Sequence, residues 1–482
     1  GEGGRSAGGV EGEVVRAGKG FVACLAWRSW CVGRVVMASG SEEVVVGLGD
    51  RSYPIVFDHL QVLGASLAKL RSPGKCVVVS NDVVGPLYGK KVVASLEEAG
   101  WKPDYVEIPD GEHRKDAETY IWLVNQLLDR QVDRKTPVIA VGGGVTTDIA
   151  GFAAATTLRG LPFANVPTSL LAQVDASVGG KTGVNTAQGK NLLGAFWQPF
   201  CVFIAVETLS TLTEPEFRCG LGEVIKHAVL EEVRDAQNPE KFLPSSAFME
   251  WLEKNAELVT NRDPAALSYT IRRCCEIKAD VVSQDERESG KRALLNLGHT
   301  VGHAIESVAG YGMLRHGEAV AIGTIAETRL AQFRGLCGED LAERIVLLTK
   351  ALGLPTTFED ADVPALVQAS LSDKKREATH ISVTMPHAIG DVRLVKITPE
   401  ELIPAFESLG APSGNAAPNA VGVTPPSPEP SSPGSASQDA RVQGSNAYAS
   451  GSHQNTGNVL VDGRPTTRVA QPPGGASSIT FG

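Results

Sequence analysis

Two rhythms of apolar and polar positions divide the chain. VVVGLGDRSYPIVF (44–57) alternates by two and breaks at turn residues, which predicts a strand and a hairpin. The run from Cys76 to Ser80 is apolar up to its serine, and PVIAV (137–141) repeats that pattern. Runs of this kind belong to strands buried on both faces. Helical spacing separates them, from about Pro86 to Glu98 and again through ETYIWLVNQLLD. Strands alternating with helices predict an α/β fold with a parallel, doubly wound, Rossmann-like sheet. From Pro215 onward the spacing is helical almost throughout, in EFRCGLGEVIKHAVLEE, FMEWLEKNAELVT, TIAETRLAQFRG and LAERIVLLTKALG. DKKREATHISVTMPHAIGDVRLVKI then reads as a charged loop and a short hairpin.

The expected organisation is a leader over 1–41, an α/β domain over 42–205, an α-helical domain over 206–410 and a tail over 411–482. The tail is dense in Ser, Pro, Gly, Ala and Asn, and it lacks the apolar surface needed to offset its ordering entropy, so it is expected to be disordered. The leader carries arginines and a lysine but no acid from Val14 to Ser41. It reads equally as an organelle transit segment, which points to a plastid, or as sequence preceding a cytoplasmic start at Met37.

Composition narrows the function. A net charge of −10 argues against a general nucleic-acid binder, and no apolar run is long enough for a membrane span. The eight cysteines form no C-x-x-C pair and read as free thiols in a reducing compartment.

Three stretches carry chemistry. Gly142–Gly144 follow the strand PVIAV and precede a helix, so backbone N–H groups and the helix N-terminus can meet a phosphate. This is not the G-x-G-x-x-G fingerprint, but with Asn81 at the end of the earlier strand it points to a dinucleotide. Asp175, Lys181, Lys190 and Asn191 lie among glycines in what reads as a long loop, where lysines often hold anions. The third stretch, Arg292–Ala319, holds three of the nine histidines. His299 and His303 share a helix face, and His316 follows a Gly-rich turn. With Glu223, the pair His299 and His316 would make three protein ligands and leave a position open, as catalytic zinc requires; Glu223 with His299 and His303 would do the same, and spacing does not decide. Arg159, Lys181, Lys278, Arg292 and Lys374 together favour an anion pocket for a substrate bearing phosphate and carboxylate groups.

GGGVTTDIAGFAAATTLRG, VPTSLLAQVDASVGGKTGVN, GKNLLGAFWQP, GLGEVIKHAV, LLNLGHTVGHAIE and HGEAVAIG resemble, in order and over about 44–405, the signature blocks of the 3-dehydroquinate synthases. These are shikimate-pathway members of the sugar-phosphate cyclases. The resemblance implies an NAD-binding Rossmann-like domain, an α-helical metal domain and a homodimer. Its zinc ligands (Co2+ being an alternative ion) match Glu223, His299 and His316. Its NAD contacts match Asn81, Glu112, Lys115, Gly143, Gly144, Val145, Asp148, Thr168, Ser169, Lys190, Thr208 and Thr211. Its substrate contacts match Arg159, Asp175, Lys181, Asn191, Lys226, Lys278, Arg292, Asn296 and Lys374, with Lys375 adjacent, and its acid/base positions match Glu288 and His303.

The implied reaction takes 3-deoxy-D-arabino-heptulosonate 7-phosphate to 3-dehydroquinate. It runs by transient oxidation at C5, phosphate elimination, re-reduction and an intramolecular aldol, with no net NADH. The substrates of a cyclase acting on sedoheptulose 7-phosphate or glucose 6-phosphate lack the carboxylate, and at the carboxylate and ring contacts Arg292, Asn296, Lys278 and His303 all match the dehydroquinate pattern. A zinc- or iron-dependent alcohol dehydrogenase would release NADH and needs no anion cluster. Separately, residues 453–482 are similar to the C-terminal block of the Spiral family of plant microtubule-associated proteins, which implies a microtubule partner for the tail.

Overall fold

A computed structural model describes residues 43–235, 237–238, 241–310, 314–359, 362–372 and 380–410. The leader, the tail and Lys374 with its neighbour Lys375 lie outside the described residues.

The strands are β1 (Glu43–Val46), β2 (Tyr53–Phe57), β3 (Lys75–Asn81), β4 (Lys102–Ile108), β5 (Val138–Gly142), β6 (Phe163–Pro167), β7 (Lys181–Thr186), β8 (Gly189–Phe196), β9 (Cys201–Ile204), β10 (Glu232–Arg234), β11 (Phe242–Pro244), β12 (Ile381–Ala388) and β13 (Asp391–Ile397). The helices are α1 (Leu63–Leu70), α2 (Lys90–Glu98), α3 (Ala117–Asp129), α4 (Gly144–Thr156), α5 (Glu214–Val229), α6 (Ala247–Thr260), α7 (Pro264–Gln284), α8 (His299–Ala309), α9 (His316–Phe333), α10 (Asp340–Ala351), α11 (Val363–Ser372) and α12 (Ile403–Glu407).

Seven strands form one sheet in the order β1-β2-β9-β6-β5-β3-β4, parallel except for the antiparallel pair β1–β2 at one edge. The period of two is visible in β3: Cys76 and Val78 pack with Leu63, Leu67, Val92 and Leu96 of α1 and α2 on one face. Val77 and Val79 pack with Leu123, Leu127 and Ile149 of α3 and α4 on the other. Both faces are therefore dry, which is why these strands are apolar throughout. Chain order reverses between β3 and β5, since β4 lies outside β3 on one side and β5 on the other. Ligands of doubly wound sheets bind beyond the strand ends at such a switch point.

Beyond β9 the architecture is helical, and one core joins the two parts: Tyr53, Ile55, Val202 and Ile204 of the sheet pack with Val224 and Ile225 of α5 and Ile271 and Cys274 of α7. A smaller core lies under α8, α9 and the β12–β13 hairpin. Among the described residues no helix is long and apolar enough to cross a membrane.

One local expectation is corrected. Lys181, Lys190 and Asn191 sit on the antiparallel ribbon β7–β8 rather than in a loop. The glycines that suggested a loop serve close approach instead: a Cβ on Gly194 would lie 2.2 Å from the Thr182 carbonyl oxygen, and one on Gly183 would lie 2.7 Å from that of Leu193. Asp175 sits in a wide helical turn spanning Ala172–Ala176.

Candidate active site

At the switch point, Asn81 ends β3 and Gly142 ends β5, with α4 beginning at Gly144. Asn81 Nδ2 donates to Thr146 Oγ1 of α4 at 3.2 Å and to Asp110 at 2.7 Å, and its Oδ1 accepts the Val84 N–H, so this side chain ties the two strand ends together. No side chain caps α4, leaving its first N–H groups for another acceptor. A Cβ on Gly143 would stand 3.4 Å from Ser169 Oγ and one on Gly144 3.4 Å from the Ala176 side chain. Glycine thus keeps this cradle open while permitting backbone approach, and the residues fit the pyrophosphate of a dinucleotide. Thr168 donates its N–H to the Gly142 carbonyl, and Tyr88 bonds both Thr208 and Thr211, closing the far wall.

Next to it lies a bonded polar lattice. Buried Lys115 donates to Asp148 and to Asn191 Oδ1, both at 2.6 Å, while Glu112 accepts from Asn185, whose Oδ1 accepts the Asn191 N–H. Asn191, Glu288 and Arg159 are three of the six non-glycine residues with positive φ among the described residues, at 55°, 59° and 65°. Strain of this kind, roughly 1–3 kcal/mol each, gathers at functional sites.

The metal-type set is built by helix crossing. α5 and α9 touch backbone to backbone at Gly222 and Gly317, where a Cβ on Gly222 would lie 2.0 Å from the Gly317 carbonyl oxygen. The adjacent residues Glu223 and His316 therefore meet, with Glu223 Oε1 3.3 Å from His316 Nε2 and 3.7 Å from His299 Nε2. Leu297 O can only accept, so His299 Nδ1 is the protonated nitrogen of that 3.0 Å bond, and its Nε2 lone pair faces Glu223. Glu223 is wholly buried, and neither carboxylate oxygen has a hydrogen-bond partner; Lys226 Nζ touches Oε2 at 2.5 Å without hydrogen-bond alignment. Lys226 balances the charge at Oε2, while Oε1 faces only the two imidazoles, the arrangement of a carboxylate oxygen open to a further cation.

Burial favours a neutral Glu223, but Lys226, His316 and His299 outweigh it and hold the carboxyl far below the ordinary range. Burial pushes His299 down to about 3, so its ring is neutral as a ligand must be. His316 is opposed by burial but raised to about 9 by Glu223 and Glu306: a proton stands where a cation would.

A second triple, His303, Glu306 and His316, also brings ligand-type atoms within 4.8 Å of one another. Glu306, however, already accepts from Lys190 at 3.1 Å and from His316 Nδ1 at 3.4 Å. The unsatisfied carboxylate is Glu223, so Glu223, His299 and His316 fit a tetrahedral ion with one open position. Glu306 then orients His316 from behind. His303 stands beside this set, its ring centroid 5.3 Å from that of His299 and 5.8 Å from that of His316.

The anion-type residues gather around it. Asp175, mostly buried, pairs with Lys278 and, at 3.3 Å, with Lys226. Lys181 pairs with Glu288, which accepts from Asn296 Nδ2 at 2.8 Å. Buried Arg292 donates to the carbonyls of Gly179 and Glu286. Arg159 stands apart: it is exposed, and no ion pair joins it to this cluster among the described residues. Three further polar groups of this region differ in how far the chain's pattern marks them. Glu306 had a signal, three residues after His303 on the same face, whereas Glu327 and His227 had none. His227 is buried with both ring nitrogens unpartnered, 3.8 Å from Asp175, and burial pushes it down to about 3.

Fold and site together define a class: a doubly wound sheet with a dinucleotide-type switch point, facing a helical body that carries a carboxylate and two histidines. By sequence, residues 105–219 match the 3-dehydroquinate synthase N-terminal family and 220–376 match the 3-dehydroquinate synthase C-terminal family. The 3-dehydroquinate synthase of Pelobacter propionicus is 46% identical over 362 residues, which is 75% of this chain and 97% of that protein. That of Desulforamulus reducens is 45% identical, covering 73% and 96%. The chain belongs to the 3-dehydroquinate synthase family. Among solved structures, the 2-epi-5-epi-valiolone synthase of Streptomyces hygroscopicus with NAD+ and Zn2+ bound is 29% identical, with a TM-score of 0.65, 79% of this chain and 99% of that chain covered. A 2-deoxy-scyllo-inosose synthase complexed with carbaglucose-6-phosphate, NAD+ and Co2+ shares the fold at 23% identity and a TM-score of 0.66, covering 76% and 99%.

Proposed function

We propose that the chain converts 3-deoxy-D-arabino-heptulosonate 7-phosphate to 3-dehydroquinate and phosphate, as an NAD- and metal-dependent enzyme. The observation that carries this reading is the wholly buried, unsatisfied Glu223 carboxylate facing His299 and His316 beside the Lys226–Asp175–Lys278 cluster. Bound NAD supplies a reversible oxidation, and bound Zn2+ or Co2+ supplies Lewis acidity at the substrate hydroxyls. The chain supplies position and charge. Glu223, His299 and His316 hold the ion. Lys226, Lys278, Arg292 and Asn296 orient a hydroxylated carboxylate, Lys181 and Asn191 offer a charge and an amide to the phosphate, and Arg159 and Lys374 are carried as substrate contacts by the family resemblance alone. Glu288 is held ionised, since burial opposes this but Lys181 and Asn296 lower its pKa, so it stands as a carboxylate with room for a proton. His303 moves protons beside the ion.

A coupled assay tests this. Phosphate and dehydroquinate should form in equal amounts with no net NADH, and chelation should stop both. Stoichiometric NADH would instead point to a dehydrogenase, and indifference to chelator would sink the ion assignment.

We further propose that 42–205 acts as the cofactor half and 206–410 as the metal half, that the enzyme works as a homodimer, and that the basic leader directs it to a plastid. Exposed Leu192, Leu193 and Phe196 on β8 support the dimer, which sedimentation velocity checks. Import assays with and without residues 1–41 check the leader. Co-sedimentation of residues 411–482 with microtubules checks the tail, and no pelleting above background disposes of that partner.

A further inference from the structure

α8 begins at His299 without a side-chain cap of its own; its N-cap is Gly298, in the left-handed region at φ 77°. The orphan donors of that end are met from another helix. Glu327, wholly buried on α9, accepts the Gly298 N–H at 2.7 Å through Oε2 and the Val301 N–H at 3.1 Å through Oε1. In a capping box, two separate side chains satisfy these N-cap and N3 donors. Here one carboxylate does both.

The junction has no slack. A Cβ on Gly298 would lie 2.5 Å from the Val320 carbonyl oxygen, and one on Gly323 would lie 2.0 Å from that of Gly298, so the start of α8 rests directly on the backbone of α9. α9 opens with His316, and His299 is bonded back to Leu297 O within the same clamped segment. The two histidines facing Glu223 thus belong to two helices that share one buried carboxylate at their contact.

We propose that Glu327 is a positioning residue for the metal centre: by capping α8 from α9 it sets where His299 stands relative to His316. This rests on Glu223, His299 and His316 being the ligands. Glu231 provides a matched control. It too is a buried carboxylate that accepts a helix-start amide, Phe248 N–H at 2.8 Å, and it pairs with Arg273, but α6 bears no ligand.

The experiment measures Zn2+ affinity of the purified apoprotein by competition with a chromophoric chelator, for the parent, E327Q, E231Q and H299A. Glutamine offers one acceptor where two donors wait, so E327Q should bind Zn2+ about 10- to 100-fold more weakly, the range of outer-shell changes. E231Q should lower thermal stability while leaving Zn2+ affinity at the parent value. Parent-like affinity in E327Q, with H299A impaired, would overturn the positioning role and spare the ligand set. Parent-like affinity in H299A would overturn the ligand set itself.

A measurement on the unaltered enzyme covers the case in which E327Q does not fold. Adding Zn2+ should slow hydrogen exchange at the Gly298 and Val301 amides but not at Phe248. Equal response at all three would count against the proposal.

Discussion

The two sides of the active site handle their polar groups differently. On the sheet side, Lys115, Asp148 and Asn191, Glu112 and Asn185, and Asn81 with Asp110 are bonded to one another. On the helical side, both Glu223 oxygens and both His227 nitrogens are buried without hydrogen-bond partners. Buried polar groups are normally satisfied. The lattice around Lys115 therefore reads as a scaffold whose pairs are made, and Glu223 with its two histidines as the place that keeps coordination in reserve for a cation. Around this site, the bonded pairs are what hold its shape, and the Glu223 carboxylate facing His299 and His316 is where an ion can enter.

The sharpest way to break that contrast is Glu223→Gln. Glutamine removes a ligand charge, so metal content should fall and kcat/KM should drop by more than the roughly 100-fold of an outer-shell change. Because the carboxylate also pairs with the buried Lys226, which keeps Asp175 as a second partner, the urea midpoint of the apoprotein should fall, but by less than if Lys226 were left with no carboxylate at all. A variant that keeps both metal and activity would show that the unsatisfied carboxylate is not a ligand. Lys115→Met is the opposite case. It strands Asp148 in a mostly buried position, and removing one partner of a buried pair costs about 3–5 kcal/mol. Urea unfolding reads this directly. Parent-like stability would mean that the sheet-side lattice is not a scaffold.

Glu306→Gln tests the boundary between the two sides. Glu306 bonds Lys190 of the ribbon and His316 of the metal set at once. Losing its charge should weaken Zn2+ binding by about 10- to 100-fold. The same change should loosen the ribbon, seen as faster proteolysis within β7–β8. Weaker metal binding with an unaltered ribbon would confine Glu306 to the helical side.

How legible these features were depended on whether their cause was local. β3 and β5 stood out because burial on both faces makes the run itself apolar. The ribbon β7–β8 did not, because its glycines answer to backbone approach across a strand pair, which a linear reading takes for a loop. His299 and His303 were visible as one face of a helix, yet the choice of ion partners was not. It turns on Gly222 and Gly317, ninety-five positions apart, allowing two helices to touch. Glu327 reads as one acid in a run of small residues, and the amides that it caps lie on another helix.

The smallest expected effect concerns Lys278, an active-site lysine poised near working pH. Burial is the main cause, aided by Lys226 and Arg292 and opposed by Asp175, and it brings the ammonium down to about 8. The charged form is thus present below pH 8 and is lost as pH rises through it. An anionic substrate should bind less well on the alkaline side, with KM rising by up to about tenfold for each pH unit above 8, the steepest slope a single titration allows. Lys278→Arg keeps its charge over the whole range, so its KM profile should flatten even if its absolute affinity is poorer. A parent profile that is already flat would show that Lys278 serves Asp175 alone and makes no call on the substrate's charge. The lysine would then belong with the bonded scaffold, on the complete side of the contrast.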